Sequence, residues 1–236
     1  MCRKELPRVY ELRDMAQTPP SQDAYFWQFE QSLRDFPVKL KHFRDIESDL
    51  QNLDAASWEY LKAELVQPIK KRDQTRGWQA LFDKLNEAKG YSYLVRLGCT
   101  NVVFIPRSYI QGQKTPDLQA DLDSIKVICE VKTINISKFE ANHRYTGSAR
   151  STSLLLHDNF FRKLKSDLEF AGRQLAAVSE KSEDRRIVYT VINFDDSLHE
   201  YADDYRKQID AFIATIPMPA VEIKVDVKPP FYSARA

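Results

Sequence analysis

Thr115–Lys132 reads TPDLQADLDSIKVICEVK. Two runs of strand-forming residues flank Asp123-Ser124, a pair suited to a tight turn. With the turn centred there, the segment is an antiparallel hairpin. Its cross-strand partners then have numbers that add to 247, which sets Asp117 opposite Glu130 and Asp121 opposite Lys126. Residues directly opposed in a hairpin have Cβ atoms ~5 Å apart and point to the same face. Side chains alternate along a strand, so Lys132 shares the face of Glu130, while Val127, Cys129 and Val131 form the opposite, apolar face. Two opposed carboxylates repel and call for a cation between them. Asp121 is assigned to a pair with Lys126 beside the turn and left out of the site.

Outward from the hairpin, helices and strands alternate. Residues 76–97 carry Trp78, Leu81, Phe82, Leu85, Leu94 and Leu97 at helical spacing, and Gly98 is placed to end that helix. A strand over 101–105 follows, ended by Pro106. The hairpin supplies strands over 116–121 and 126–134. A helix over 158–178 has Phe161, Leu164, Leu168, Leu175 and Val178 on its apolar side. The β-branched run Ile187–Ile192 predicts a central strand, residues 199–214 a helix, and 221–227 a half-exposed edge strand. Strands interleaved with helices predict an α/β fold with a mixed sheet. The first third is different. Residues 1–22, with Pro7, Pro19 and Pro20, read as an irregular arm. Residues 23–72 read as helices, with Tyr25, Phe26, Phe29 and Leu33 on one stripe and Leu40, Phe43, Ile46 and Leu50 on the next. Asp54 is expected to cap a third helix carrying Trp58, Leu61 and Leu65, which Pro68 ends or kinks. The expected division is a mostly helical extension or subdomain over 1–75 and an α/β domain over 76–236.

Of the 236 residues, 43% are hydrophobic and 29% charged, which excludes a disordered chain. No apolar run approaches the ~20 residues that span a bilayer, and the N-terminus carries no apolar signal region, so a cytoplasmic protein is expected. The net charge of +1 neither favours nor excludes a nucleic acid. Cys2, Cys99 and Cys129 have neither disulfide nor zinc spacing. His42, His157 and His199 are isolated and carry no ligand spacing. No P-loop, glycine-rich dinucleotide turn or nucleophile elbow is present.

Pro116-Asp117, twelve intervening residues, then Glu130-Val131-Lys132 resembles the signature of the PD-(D/E)xK nuclease superfamily. That superfamily includes restriction endonucleases, Holliday junction resolvases and repair nucleases. The resemblance covers about residues 76–227 and implies a restriction-endonuclease-like α-β-β-β-α-β core, here with a helical N-terminal extension. It implies a metal-dependent nuclease acting on nucleic-acid phosphodiesters, DNA before RNA, in restriction, defence or repair. Asp117 and Glu130 would then be metal ligands and Lys132 the catalytic lysine. Glu87 on the preceding helix would be a further metal ligand, with Asp83 as its substitute. Hard oxygen ligands suit Mg²⁺ or Mn²⁺.

Arg144, Tyr145 and Arg150, in the segment after the second hairpin strand, are candidates for nucleic-acid contact, because basic and aromatic groups there suit phosphates and bases. Gln174 is a further candidate near the site. Arg162, Lys163 and Lys165 read first as the wet face of a helix. The apolar stripes of 23–72 are expected to pack on the α/β core or to form a homodimer contact. The alternative function is a catalytically silent nuclease-like fold that binds nucleic acid or protein; the intact acid, acid and lysine set speaks against it.

Overall fold

A computed structural model describes residues 2–16, 25–70, 72–73, 77–106, 115–134, 155–179, 181, 183–193 and 202–228. The chain divides into two compact units, Met1–Tyr93 with Phe231–Ala236, and Leu94–Pro230. No helix among the described residues is long and apolar enough to cross a membrane.

The first unit is helical: α1 (Cys2–Glu5), α2 (Pro7–Met15), α3 (Phe29–Asp35), α4 (Pro37–Gln51), α5 (Ala55–Lys70) and most of α6 (Gln79–Arg96). The expected arm over 1–22 is thus corrected for its first part. Pro7 sits in the first turn of α2, where its missing N–H costs nothing and its fixed φ starts a helix. Leu6, Val9, Tyr10 and Leu12 are buried. No side chain of the preceding residue caps α2; instead the buried Glu47 of α4 accepts from the Arg8 and Val9 amides at 3.2 and 2.9 Å. Arg8 in turn donates to the Leu53 carbonyl at 3.1 Å, beyond the end of α4. Asp54 caps α5 as expected, accepting from the Ser57 amide at 2.7 Å. Pro68 does not end α5, which runs two residues further, to Lys70. Tyr25 stacks edge-on against Phe26, Trp78 and Phe82, and Phe29 against Phe43, so these rings are core.

The second unit is built on a five-stranded mixed sheet: β1 (Thr100–Phe104), β2 (Leu118–Leu122), β3 (Ile125–Ile134), β4 (Arg185–Asn193) and β5 (Glu222–Lys228), in that spatial order. The pairings β1–β2 and β2–β3 are antiparallel; β3–β4 and β4–β5 are parallel. The chain enters β1 through a helix stop of the expected kind. Gly98 adopts φ +90°, the Cys99 amide reaches back to the Leu94 carbonyl, and the Gly98 amide to that of Val95, each at 3.0 Å. Two helices, α7 (Asp158–Val178) and α8 (Ala202–Ile213), make the crossovers that parallel strands require. Leu164, Leu168, Ala171 and Leu175 of α7 and Tyr205 and Ile209 of α8 form one buried cluster with Ile128, Ile134, Val188, Ile192 and Val225. Both helices therefore cover the same face of the sheet.

The register of the hairpin is the expected one: Leu118 pairs with Cys129, Ala120 with Val127 and Asp121 with Lys126. Asp123 and Ser124 have φ +48° and +70°. A two-residue turn with both central residues left-handed is type I′, whose twist matches the strands it joins. Ser tolerates this conformation less well than Gly. Ser124→Gly should therefore stabilise the protein by about 0.5–1 kcal/mol, read as a higher urea midpoint at unchanged slope; a lower midpoint would contradict this turn geometry.

Candidate active site

Asp117 stands in a bend just before β2. Its carbonyl accepts from the Ile105 amide at 2.9 Å, which holds it against the end of β1. Continuing the β2–β3 register by one residue sets Asp117 opposite Glu130. Its side chain turns to β3, where Oδ2 accepts from the Val131 amide at 2.8 Å.

Glu130 and Lys132 occupy alternate positions of β3 and share a face with Ile128 and Ile134, the face that α7 covers. Glu130 is 4% exposed. The Lys132 ammonium makes an ion pair with Glu130 Oε1 and donates to Gln174 Oε1 of α7 at 3.2 Å. It also lies 5.5 Å from the centre of the Phe170 ring. Thr190 is the parallel neighbour of Lys132 on β4, and its hydroxyl is buried with no hydrogen-bond partner among the described residues. On the other face of β3, Cys129 is fully buried. Burial first, then the negative charge of Asp117 and Glu130, pushes its thiol well above the ordinary value, so it stays neutral and acts as a small apolar residue.

The cation expected between the two carboxylates is partly supplied by the protein. Glu130 has its own lysine and Asp117 a backbone N–H, so the repulsion is relieved without an added ion. The donor set still fits Mg²⁺ or Mn²⁺. A carboxylate has about four lone-pair sites, and one N–H bond does not exhaust them. Among the described residues no three His, Cys, Asp or Glu side chains gather into a metal-holding group. Asp117 and Glu130 would hold the ion as a pair, with water and substrate oxygens filling the remaining positions, the usual habit of Mg²⁺.

Of the residues singled out from sequence, Asp117, Glu130 and Lys132 come together, and Gln174 joins them. Glu87 lies on α6 in the first unit, buried, in an ion pair with Lys84 at 3.0 Å; Lys84 also pairs with Glu64 at 3.0 Å. Asp83 is half-buried on the same helix. Arg144, Tyr145, Arg150 and His199 lie outside the described residues. Asp121 accepts from the Asn101 side chain at 2.9 Å, away from the site. Arg162 bonds Asn159, Lys163 pairs with Asp167 and Lys165 with Glu169, all within α7, which makes them its wet face. His42 is buried against Phe43 and Phe82. Phe170 and Thr190 were not anticipated. Phe170 carries a weak signal, four residues before Gln174 and off the apolar stripe of α7. Thr190 carries another, as a hydroxyl inside the aliphatic run of β4.

No protein-family model matches the chain, and neither curated proteins nor solved structures give a match.

The ion pair makes a stability prediction. Lys132→Met leaves the buried Glu130 carboxylate without its ammonium and should cost about 1–3 kcal/mol. Adding Glu130→Gln should restore more than half of that loss, since the charge left behind is then removed. Urea unfolding of wild type, single and double variants measures both steps. A Lys132→Met midpoint equal to wild type would show that the pair contributes nothing.

Proposed function

We propose that the protein is a metal-dependent nuclease of PD-(D/E)xK type that hydrolyses phosphodiester bonds of nucleic acid, DNA before RNA. The observation that carries this reading is a buried carboxylate and a lysine, Glu130 and Lys132, on a sheet face otherwise lined by Ile128, Ile134, Val188 and Ile192. Asp117 is drawn to the same strand. Charges inside an apolar face are expensive, which makes a pair of them a candidate for chemistry. The element order α6, β1, β2, β3, α7, β4 supports it too, because it is the order that the resemblance implies.

In this reading Asp117 and Glu130 hold Mg²⁺ or Mn²⁺. When bound, the ion lowers the pKa of a coordinated water and neutralises charge on phosphoryl oxygens. Lys132 is the remaining charged group of the set. Its ammonium, 23% exposed at the side chain, can orient the attacking water or stabilise charge that develops on the phosphate. The apolar surroundings strengthen each of these interactions by lowering the local dielectric.

A second reading is a silent nuclease fold that only binds. What favours it is that all three groups already bond within the protein: Asp117 to the Val131 amide, Glu130 to Lys132, and Lys132 to Gln174. The two readings separate in one assay. Purified protein is given Mg²⁺ or Mn²⁺ with linear, branched, single-stranded and plasmid DNA, and with RNA. The nuclease reading expects cleavage that chelator abolishes, and a loss of ~10²-fold or more in Lys132→Ala and in Asp117→Asn. Undiminished cleavage by both variants would remove the site from the reaction. Binding without cleavage would favour the silent fold.

A further inference from the structure

The Lys132 ammonium is held from α7 as well as from its own strand. Gln174 Oε1 accepts from Nζ at 3.2 Å, and the Phe170 ring centre lies 5.5 Å from the same atom. The two residues are four apart on α7, so their side chains emerge one above the other on a single stripe. That stripe is distinct from the core stripe of Leu164, Leu168, Ala171 and Leu175, which packs on the sheet. Phe170 is 37% exposed, more than packing of such a ring requires. Gln174 is half-buried.

A lysine side chain has several rotatable bonds, and one carboxylate partner does not fix the direction of its ammonium. Glu130 alone leaves two of the three ammonium donors to be oriented. Gln174 provides a second, neutral acceptor that fixes direction without neutralising the charge. The face of Phe170 attracts the cation through its ring quadrupole. An ammonium bound on three sides has one orientation, which a group that must meet a phosphate or a water requires.

We propose that Gln174, with Phe170 beside it, is a positioning residue that clamps the Lys132 ammonium in its working direction. The proposal deepens the nuclease reading and, for its catalytic consequence, rests on it. The clamp itself does not. It makes α7 part of the site, so the helix that crosses from β3 to β4 sets the direction of a group on β3.

The test has two arms. The first is nitrogen-edited NMR of lysine ammonium groups at mildly acidic pH, with Lys132→Arg used to assign the signal. A clamped ammonium exchanges its protons slowly and is visible. Gln174→Met keeps the length of the side chain and removes the acceptor, so the Lys132 signal should broaden away. Gln174→Glu keeps an acceptor at the same reach and should retain it. Gln174→Asn withdraws the amide by one methylene, should also lose the signal, and serves if Gln174→Met does not fold. A signal unchanged in folded Gln174→Met or Gln174→Asn overturns the clamp, as does equal loss in Gln174→Glu. The second arm is cleavage. Gln174→Met should lower kcat about tenfold or more with KM within about twofold, and Gln174→Glu should recover most of it. Wild-type kcat in Gln174→Met overturns the positioning role. If wild type cleaves nothing, the nuclease reading falls, and the ammonium signal still decides whether the clamp exists.

Discussion

The register of the β2–β3 hairpin is the constraint on which the rest of the second unit depends. Side chains alternate with a period of two, so a slip of one residue would exchange the two faces of β3. Glu130 and Lys132 would then leave the α7 side, and the fully buried Cys129 would take their place. The two left-handed residues Asp123 and Ser124 hold that register from one end. Asp117 holds it from the other, with its carboxylate on the Val131 amide where the β2–β3 pairing stops. β3 is also the strand at which antiparallel pairing gives way to parallel. Its register is thus passed on to β4 and, through β4, to β5.

This scaffold puts a local conflict at its centre. A face that buries Ile128, Ile134, Val188, Ile192 and Val225 also carries a carboxylate, an ammonium and a hydroxyl, from Glu130, Lys132 and Thr190. An unpaired charge there would cost stability, and the Glu130–Lys132 pair offsets that cost. A local departure from apolar packing on this face is where the proposed function places its chemistry. The departure is compact: Glu130, Lys132 and Gln174 are joined by an ion pair and a hydrogen bond, and Asp117 accepts from the Val131 amide between the first two.

Much of the second unit was legible in the sequence. Alternation around Asp123-Ser124 gave the hairpin and its pairing, Gly98 the end of α6, and the β-branched run of β4 an interior strand. Reading Pro7 as a breaker hides the helix Pro7–Met15, because a proline in the first turn of a helix starts it. Pro68 does not stop α5, which continues to Lys70. In the site, Asp117, Glu130 and Lys132 were legible because they lie within one hairpin, where spacing fixes geometry. Phe170 and Thr190 were not, because their relation to Lys132 depends on how α7 and β4 pack beside β3. No local period encodes that.

The account stands on Asp117 and Glu130 holding a divalent ion together. Anomalous diffraction from crystals soaked in Mn²⁺ tests this most directly. The account predicts one strong peak within ligand distance of an oxygen of each carboxylate, about 2.0–2.2 Å as for hard divalent ions on oxygen, and no such peak in Asp117→Asn crystals. A Mn²⁺-soaked crystal with no peak at that pair, or a peak unchanged in Asp117→Asn, would contradict it.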